Sequence, residues 1–191
     1  MKSAIVLIAD GSEEVEALSP VDYLRRAGVD VSVVSVGTAS RTVVLSRKVS
    51  VNADITLEAY LSAASGNLPD AIIVPGGMPG TTNIAASRSA VSLVEEMHKA
   101  GKLVCAICAA PAFVLSKTSA LEGKDWTGYP GTEGNAGTFA AAFQGDKPFV
   151  HDANVITARG PGAAEEFAME IVRTLCGQSV FDKVKEAALL R

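Results

Sequence analysis

Short apolar runs alternate along the chain with longer segments that have helical periodicity. A short, uninterrupted apolar run is typical of a strand that is buried on both faces, as in parallel sheets covered by helices on both sides. Four runs have this character: Ser3–Ala9, Val29–Val36, Asp70–Val74 and Leu103–Ile107. The pattern therefore predicts an α/β fold with a mostly parallel sheet and helices on both faces.

The segments between these runs supply the predicted helices. Ser12 is the predicted N-cap of the first helix, and Glu13 and Glu14 form its solvated first turn. Pro20 is expected to bend the helix or to restart it after Ser19, and Gly28 ends it. Further helices are predicted over residues 87–100, 109–116, 163–175 and 180–190. The β-branched segment 42–52 predicts one or two edge strands, and residues 149–157 predict a hairpin.

Cys108 stands where the apolar run before it changes to helix-forming composition. Small residues, Ala106 and Ala109, lie near it, and Pro111 falls in the first helical turn, where its missing N–H costs little. This arrangement predicts a nucleophile elbow, in which the side chain stands clear of the sheet and faces a helix N-terminus that favours a thiolate. We therefore predict thiolate chemistry at Cys108, with the backbone N–H of Ala109 as an oxyanion donor.

Two other interpretations of Cys108 exist. A free cysteine often packs as a small hydrophobic residue, and Cys105 with Cys108 forms a CxxC spacing that is typical of redox pairs. In an extended strand, however, three residues separate two Cα atoms by about 10 Å. A disulfide requires less than about 7 Å. We therefore assign Cys105 to the core.

Composition narrows the class of protein. The 191 residues are 48% hydrophobic, which suits a single domain over residues 1–191. The net charge is −4 and no basic run occurs, so neither nucleic acid nor a membrane surface is expected as partner. Residues 4–9 form an apolar run too short for a signal peptide or a membrane span, and three cysteines fit a reducing cytosol, so a cytoplasmic protein is expected. No phosphate loop occurs, and the isolated His98 and His151 predict no metal site, so no cofactor is expected.

A second feature lies at the end of a predicted strand. Gly76 and Gly77 follow the run that ends at Val74, and consecutive glycines there let backbone N–H groups approach a ligand. Because ligands bind beyond the carboxyl ends of parallel strands, these glycines and Cys108 are expected to share one site. Arg47, in the edge-strand segment, is either a residue that protects an edge or a cation that faces the site.

Five motifs occur in order along nearly the whole chain. They are DGSEEVE at residues 10–16, VPGGMPG at 74–80, AICAAP at 106–111, YPG at 129–131 and TARGPG at 157–162. Together they resemble the ThiJ/PfpI family of the class I glutamine amidotransferase-like superfamily, in the branch that contains a parkinsonism-associated protein deglycase. The resemblance implies a flavodoxin-like three-layer sandwich, usually a homodimer.

The resemblance also implies a set of site residues. It places a reactive thiol at Cys108, the carboxyl of Glu16 beside it, and an oxyanion hole formed by Gly76 and Gly77. Residues that line the site are expected at Tyr129, Arg47, Gly160 and Pro161. Family peptidases carry a histidine directly after the nucleophile, where this chain has Ala109, so a peptidase is disfavoured. Some deglycase relatives place a histidine near the cysteine where this chain has Tyr129, so no imidazole base is expected.

Energetics favour a partner for the thiol. Lowering the thiol pKa from about 8.5 to about 5.5 requires about 4 kcal/mol of differential stabilisation of the thiolate. A helix terminus supplies about 0.3–2 kcal/mol, and a hydrogen bond from a protonated carboxyl adds about 1.5–3 kcal/mol. Glu16 is therefore expected to donate to the Cys108 thiolate and to shuttle its proton.

Two functions follow from the resemblance and the predicted chemistry. In the first, Cys108 adds to a small 2-oxoaldehyde such as methylglyoxal or to a glycated group, as in glutathione-independent glyoxalases and protein deglycases that protect against oxidative stress. In the second, Cys108 is oxidised to sulfinate in a redox-sensing or chaperone-like protein that does not turn over carbonyl compounds.

Overall fold

A seven-stranded sheet forms the middle layer of the structure, a computed structural model that describes residues 1–190. Its strand order is β5-β2-β1-β6-β7-β9-β8, and every neighbouring pair is parallel except the β8–β9 hairpin. The strands of this sheet are β1 (Ser3–Ile8), β2 (Asp30–Ser35), β5 (Ile55–Thr56), β6 (Ala71–Val74), β7 (Leu103–Ile107), β8 (Phe149–Asp152) and β9 (Val155–Ala158). The mostly parallel sheet predicted from the apolar runs is confirmed.

Helices cover both faces of the sheet. One face packs against α1 (Glu14–Arg26), α6 (Ala164–Cys176) and α7 (Gln178–Ala187). The other face packs against α2 (Leu57–Ala64), α3 (Gly80–Ala86), α4 (Arg88–Lys99) and α5 (Ala110–Phe113). Short 3-10 segments occupy Leu115–Lys117, Glu133–Ala142 and Pro161–Ala163. The molecule is thus the three-layer, flavodoxin-like sandwich that was expected. Within residues 1–190, no helix has both the length and the apolar character that crossing a bilayer requires.

The start of α1 differs from the prediction. The side chain of Glu13, and not that of Ser12, caps the helix by accepting a hydrogen bond from the Glu16 N–H at 2.8 Å. The Ser12 hydroxyl instead accepts a hydrogen bond from the Ala9 N–H, which closes the turn after β1. The helix also continues through Pro20 without a break. Pro20 removes one backbone hydrogen bond, but it lies on the buried side of α1, where burial of its ring offsets part of that loss.

The segment 42–52 is a separate hairpin and not an edge of the main sheet. Its strands, β3 (Thr42–Val44) and β4 (Ser50–Asn52), pair only with each other. Backbone hydrogen bonds attach it to the loop before α1, from the Gly11 N–H to the Val44 carbonyl and from the Ser46 N–H to the Ser12 carbonyl, both at 2.8 Å. The hairpin therefore lies over the loop that connects β1 to α1.

The helix after Cys108 is shorter than predicted. α5 is a single turn that ends before Val114, whose φ of −107° departs from helical geometry, and a 3-10 turn follows. A single turn has few aligned peptide dipoles, so its N-terminus stabilises a thiolate less than a long helix would. The amphipathic helix predicted over residues 87–100 is confirmed as α4, whereas the short α3 before it was not predicted.

Candidate active site

The predicted site residues converge at the carboxyl edge of the sheet. In the sheet, β1 lies between β2 and β6, so the chain adds strands on one side of β1 first and then on the other side. Open α/β sheets bind ligands at the point where the strand order reverses in this way. Glu16 lies in the first turn after β1, Gly76 and Gly77 follow β6, and Cys108 follows β7. Residues that are up to 92 positions apart in the sequence therefore meet at one place.

Cys108 has the backbone conformation of a nucleophile elbow. Its φ is +64°, a left-handed value that costs a non-glycine residue about 1–2 kcal/mol. Two hydrogen bonds hold it there, since its N–H donates to the Ala158 carbonyl at 2.8 Å and its carbonyl accepts from the Tyr129 N–H at 2.7 Å. A Cβ at Gly128 would lie 2.9 Å from that same carbonyl, so a glycine is required beside the elbow.

Glu16 lies entirely inside the protein, against the thiol of Cys108. Its side chain is 0% exposed, and its Oε2 accepts a hydrogen bond from the Gly76 N–H at 2.9 Å. Its Oε1 is buried and has no partner of regular hydrogen-bond geometry. A Cβ on Gly76 would lie 2.6 Å from both Cys108 Cβ and Glu16 Oε2, so only a glycine lets the two side chains share this space.

The pKa values of this pair differ from the expectation of a preformed thiolate. Burial raises the pKa of Glu16 to about 7, although hydrogen bonding with Cys108 and Gly76 acts to lower it. Burial, and next the charge of an ionised Glu16, raise the pKa of the Cys108 thiol to about 12, although the N–H groups of Gly77 and Ala109 act to lower it. The effect of burial on the thiol pKa is thus larger than the opposing effect of the N-terminus of the short α5. A carboxyl that titrates near neutral pH is suited to removing the proton of the thiol during attack.

The oxyanion donors differ in one residue from those expected. The N–H of Gly76 is engaged by Glu16 Oε2, so it is not free to hold a substrate oxygen. The N–H groups of Gly77 and Ala109 act to lower the pKa of the Cys108 thiol. Gly77 and Ala109 therefore remain candidate oxyanion donors, whereas Gly76 holds the Glu16 carboxyl.

A cavity of about 580 Å³ opens above the thiol. Its lining residues are Glu13, Ser46, Arg47, Gly77, Met78, Cys108, Ala109, Phe113, Tyr129, Thr132 and Pro161. Of the residues expected to line the site, Arg47, Tyr129 and Pro161 do so, whereas Gly160 lies behind the Tyr129 ring and lines a neighbouring cavity. Arg47 belongs to the hairpin outside the main sheet, so it faces the site and does not protect an edge of that sheet.

Sequence reasoning missed the roles of Glu13 and Glu14, which it assigned to a solvated first turn. Glu13 caps α1 and lines the cavity, and its charge contributes to the raised pKa of Glu16. Glu14 is buried and accepts hydrogen bonds from the Ser46 hydroxyl and the Arg47 N–H. Burial acts to raise the pKa of Glu14, but these bonds hold it below its ordinary value. No local pattern signals a partner 32 residues away.

The remaining cysteines and histidines lie away from the thiol. Cys105 is fully buried in β7 and its thiol is free, which confirms its assignment to the core and excludes a disulfide with Cys108 in this structure. His151 Nδ1 is 2.7 Å from Glu170 Oε1, and His98 lies on α4; neither histidine lines the cavity. The titratable group packed against the thiol is therefore the Glu16 carboxyl and not an imidazole.

Several known proteins have sequences similar to nearly the whole of this chain. The sequence profile of the DJ-1/PfpI family matches residues 2–174. Protein dj-1beta of Drosophila melanogaster is 36% identical over 187 residues, which cover 98% of this chain and 95% of that protein. The glutathione-independent glyoxalase DJ-1 of Schizosaccharomyces pombe is 29% identical over 187 residues, 96% of each chain. The solved structure of oxidized Toxoplasma gondii DJ-1 superposes with a TM-score of 0.90 at 33% identity and covers 100% of this chain and 99% of that one. The chain therefore belongs to the DJ-1/PfpI family.

Proposed function

We propose that the protein converts small 2-oxoaldehydes such as methylglyoxal to 2-hydroxy acids without glutathione. The observation that carries the proposal is the buried Glu16 carboxyl, with a pKa of about 7, packed against the Cys108 thiol at the elbow. A base is most effective when its pKa lies near the working pH. The relative from Schizosaccharomyces pombe, which is named a glutathione-independent glyoxalase, supports the same reaction.

The first step is addition of the thiol to the aldehyde. Glu16 takes the proton of Cys108 as the sulfur attacks the aldehyde carbon, and the carbonyl π electrons move onto oxygen. The N–H groups of Gly77 and Ala109 face the sulfur and are placed to stabilise this oxyanion. Transfer of the proton from Glu16 to the oxyanion completes a hemithioacetal and leaves the carboxylate ionised again.

The second step moves a proton along the substrate. The Glu16 carboxylate removes the proton from the former aldehyde carbon, which gives an enediolate, and returns it to the adjacent carbon. The hydroxyl proton on the first carbon moves to the oxygen of the second carbon, and the product is a thioester of the 2-hydroxy acid. Water then hydrolyses the thioester and releases the acid and the free thiol. The net reaction is 2-oxoaldehyde plus water to 2-hydroxy acid. At a glycated amine or thiol, Cys108 would instead displace the amine or thiol from the hydroxyl-bearing carbon, with the thiol proton passing through Glu16 to the departing group, and the same hemithioacetal would follow.

Incubation of purified protein with methylglyoxal in the absence of glutathione tests the proposal. We expect lactate to form in proportion to the methylglyoxal consumed, and Cys108→Ser and Glu16→Gln to lose most of this activity. Cys176→Ser is the matched control, since it removes a half-buried thiol that does not line the cavity. Lactate production that Cys108→Ser retains, or no lactate at any enzyme concentration, would exclude the reaction.

A second candidate function uses the same sulfur as an oxidation sensor. Two N–H donors and a carboxyl that holds a proton near neutral pH surround Cys108, and these groups can also stabilise the oxygens of a sulfinate. One relative was solved as an oxidized DJ-1. Mild peroxide treatment followed by peptide mass spectrometry tests this role. Two oxygens added at Cys108, in a protein that does not turn over aldehydes, would favour the sensor over the enzyme.

A further inference from the structure

A second cavity adjoins the one above Cys108. It has a volume of about 550 Å³ and shares Tyr129 and Pro161 with the first cavity. A three-carbon aldehyde fills only a small part of the 580 Å³ above the thiol, and cavities of a few hundred Å³ are typical of sites for larger ligands. The two adjoining cavities therefore fit a substrate that continues beyond the reacting carbonyl group.

Arg159, which lines the second cavity, follows the strand next to that of the nucleophile. β7 and β9 are adjacent and parallel, and their register pairs Ile107 with Ala158, so Cys108 and Arg159 are the next residues on the two strands. Adjacent strands lie about 4.8 Å apart. The Cys108 N–H donates to the Ala158 carbonyl at 2.8 Å, and the Arg159 N–H donates to the Pro148 carbonyl at 2.9 Å, so both backbones are fixed.

The guanidinium of Arg159 has no acceptor of its own. Among residues 1–190 it forms no side-chain hydrogen bond and no ion pair, and it lines the second cavity. Asp146 lines the same cavity but lies beyond ion-pair distance. A guanidinium presents a planar set of N–H donors that fits a carboxylate or a phosphate at two points. The Arg159 side chain is exposed to solvent through the second cavity, which adjoins the cavity of the nucleophile, so its free guanidinium suits recognition of such an anion.

We propose that Arg159 binds the anionic group of the substrate, a carboxylate or phosphate on a 2-oxoaldehyde larger than methylglyoxal. The carbon chain between the anion and the carbonyl lies along Tyr129 and Pro161, which both cavities share. This assignment of substrate class rests on the proposed function. The carboxylate of Asp146 repels an anionic substrate, so Asp146→Asn is expected to increase the preference for anionic over neutral substrates.

Paired substrates test the assignment. The probes are 4-carboxyphenylglyoxal and 4-methylphenylglyoxal, which have similar size and differ in charge. The readout is the ratio of their kcat/KM values, in which a general loss of activity cancels. Arg159→Met is expected to lower this ratio by about tenfold, mainly through KM, because one charge-assisted interaction is lost. Arg88→Met is the matched control. Arg88 is exposed on α4 and lines neither cavity, and its substitution removes the same charge.

Two further arms identify the anion and the arginine. Benzoate and phenyl phosphate, used as competitors of the neutral substrate, distinguish carboxylate from phosphate, and Arg159→Met is expected to weaken inhibition by the preferred one. Inhibition by neither anion would overturn the assignment. Arg47 is the other arginine that lines these cavities. A ratio that falls in Arg47→Met and not in Arg159→Met would also overturn it.

Alkylation of Cys108 separates this inference from the proposed function. Iodoacetate is anionic and iodoacetamide is neutral, and the ratio of their rates does not require turnover. We expect Arg159→Met to lower the iodoacetate-to-iodoacetamide ratio and Arg88→Met to leave it unchanged. If no aldehyde is turned over but Arg159 controls this ratio, the proposed reaction fails and the anion site stands. If aldehydes are turned over and neither ratio changes in Arg159→Met, the anion site fails and the reaction stands.

Discussion

Glu16 determines how the site handles protons. The carboxyl is buried with one oxygen unpaired, and its pKa of about 7 lets it both accept and return a proton near neutral pH. Its ionised form also raises the pKa of the Cys108 thiol, so the same residue disfavours a free thiolate and, in the proposed reaction, is the base that removes the proton. These pKa directions, raised for both groups by burial, agree with a thiol that loses its proton to Glu16 during attack.

Glu16→Gln separates these two effects. The neutral amide removes the charge that raises the thiol pKa, so we expect the Cys108 pKa to fall from about 12, although burial still holds it above its ordinary value. Turnover of methylglyoxal should nevertheless decrease by about 100-fold or more, because the general base is gone. The pH dependence of iodoacetamide alkylation and the rate of lactate formation measure the two effects. A thiol pKa that rises in Glu16→Gln would show that the carboxyl donates to a preformed thiolate.

Gly76→Ala tests the packing of the pair. The added Cβ would lie 2.6 Å from both Cys108 Cβ and Glu16 Oε2, so the carboxyl or the backbone must move. We expect a loss of stability of about 1–3 kcal/mol, as for other overpacked sites, together with loss of turnover. Urea unfolding and lactate formation are the measurements. Gly134→Ala is the control, because nothing lies within 4 Å of its Cβ position. Equal effects of the two substitutions would contradict the argument.

At the scale of elements, one wall of the cavity depends on the β3–β4 hairpin. Ser46 and Arg47 lie in the hairpin and line the cavity, and Glu14 of α1 accepts hydrogen bonds from both. Glu14→Ala leaves these donors without their acceptor. We expect the hairpin to lose about 1–3 kcal/mol of stability against local opening. This loss should be measured as faster hydrogen exchange across residues 42–52, together with a higher KM.

The control for the hairpin is Glu58→Ala. Glu58 is an exposed acidic residue in the first turn of α2 and does not line the cavity. It removes the same charge and should leave exchange in the hairpin unchanged. Unaltered exchange across residues 42–52 in Glu14→Ala would show that the backbone bonds from Gly11 and Ser46 suffice to hold the hairpin.

The sequence predicts the elements whose burial is local and misses those that depend on distant partners. The four apolar runs became β1, β2, β6 and β7, because burial on both faces requires an unbroken apolar run. The place of the hairpin, the task of Glu14 and the engagement of the Gly76 N–H depend on contacts between residues 32 and 60 positions apart. Composition near a residue carries no information about such partners.

At the scale of the whole molecule, Glu16 makes stability depend on pH. Its pKa rises from 4.5 in the unfolded chain to about 7 in the fold, so the folded state holds the proton to a higher pH. Stability from this group is therefore present below about pH 4.5 and decreases as the pH rises to about 7, by about 3 kcal/mol in total. Urea unfolding of the wild type and Glu16→Gln between pH 5 and 8 measures it. As the pH rises, the wild type should lose about 3 kcal/mol of stability relative to the variant. A stability difference that does not change with pH would contradict this dependence.

We expect the protein to form a homodimer. Three valines, Val15 on α1 and Val44 and Val49 on the hairpin, are 49%, 42% and 47% exposed, and the hairpin is attached to the start of α1. Exposed apolar side chains on neighbouring elements favour a symmetric contact. Light scattering at micromolar concentration should give twice the chain mass of 19.7 kDa. Val44→Asp should lower that mass, whereas a wild-type mass near 19.7 kDa would exclude the dimer.

The site joins three neighbouring strands at the centre of the sheet, because Glu16 follows β1, Gly76 follows β6 and Cys108 follows β7. The raised pKa of the thiol exists only when all three strands are paired, since the residues after β1 and β6 form its surroundings. A pulse of alkylating reagent during refolding, read at the Cys108 peptide by mass spectrometry, therefore reports when the middle of the sheet closes, because the alkylation rate of this thiol falls as its pKa rises. In the same way, a fragment that lacks β1 should leave Cys108 more reactive, so complementation by the missing segment can be followed from the alkylation rate of this one cysteine among the three.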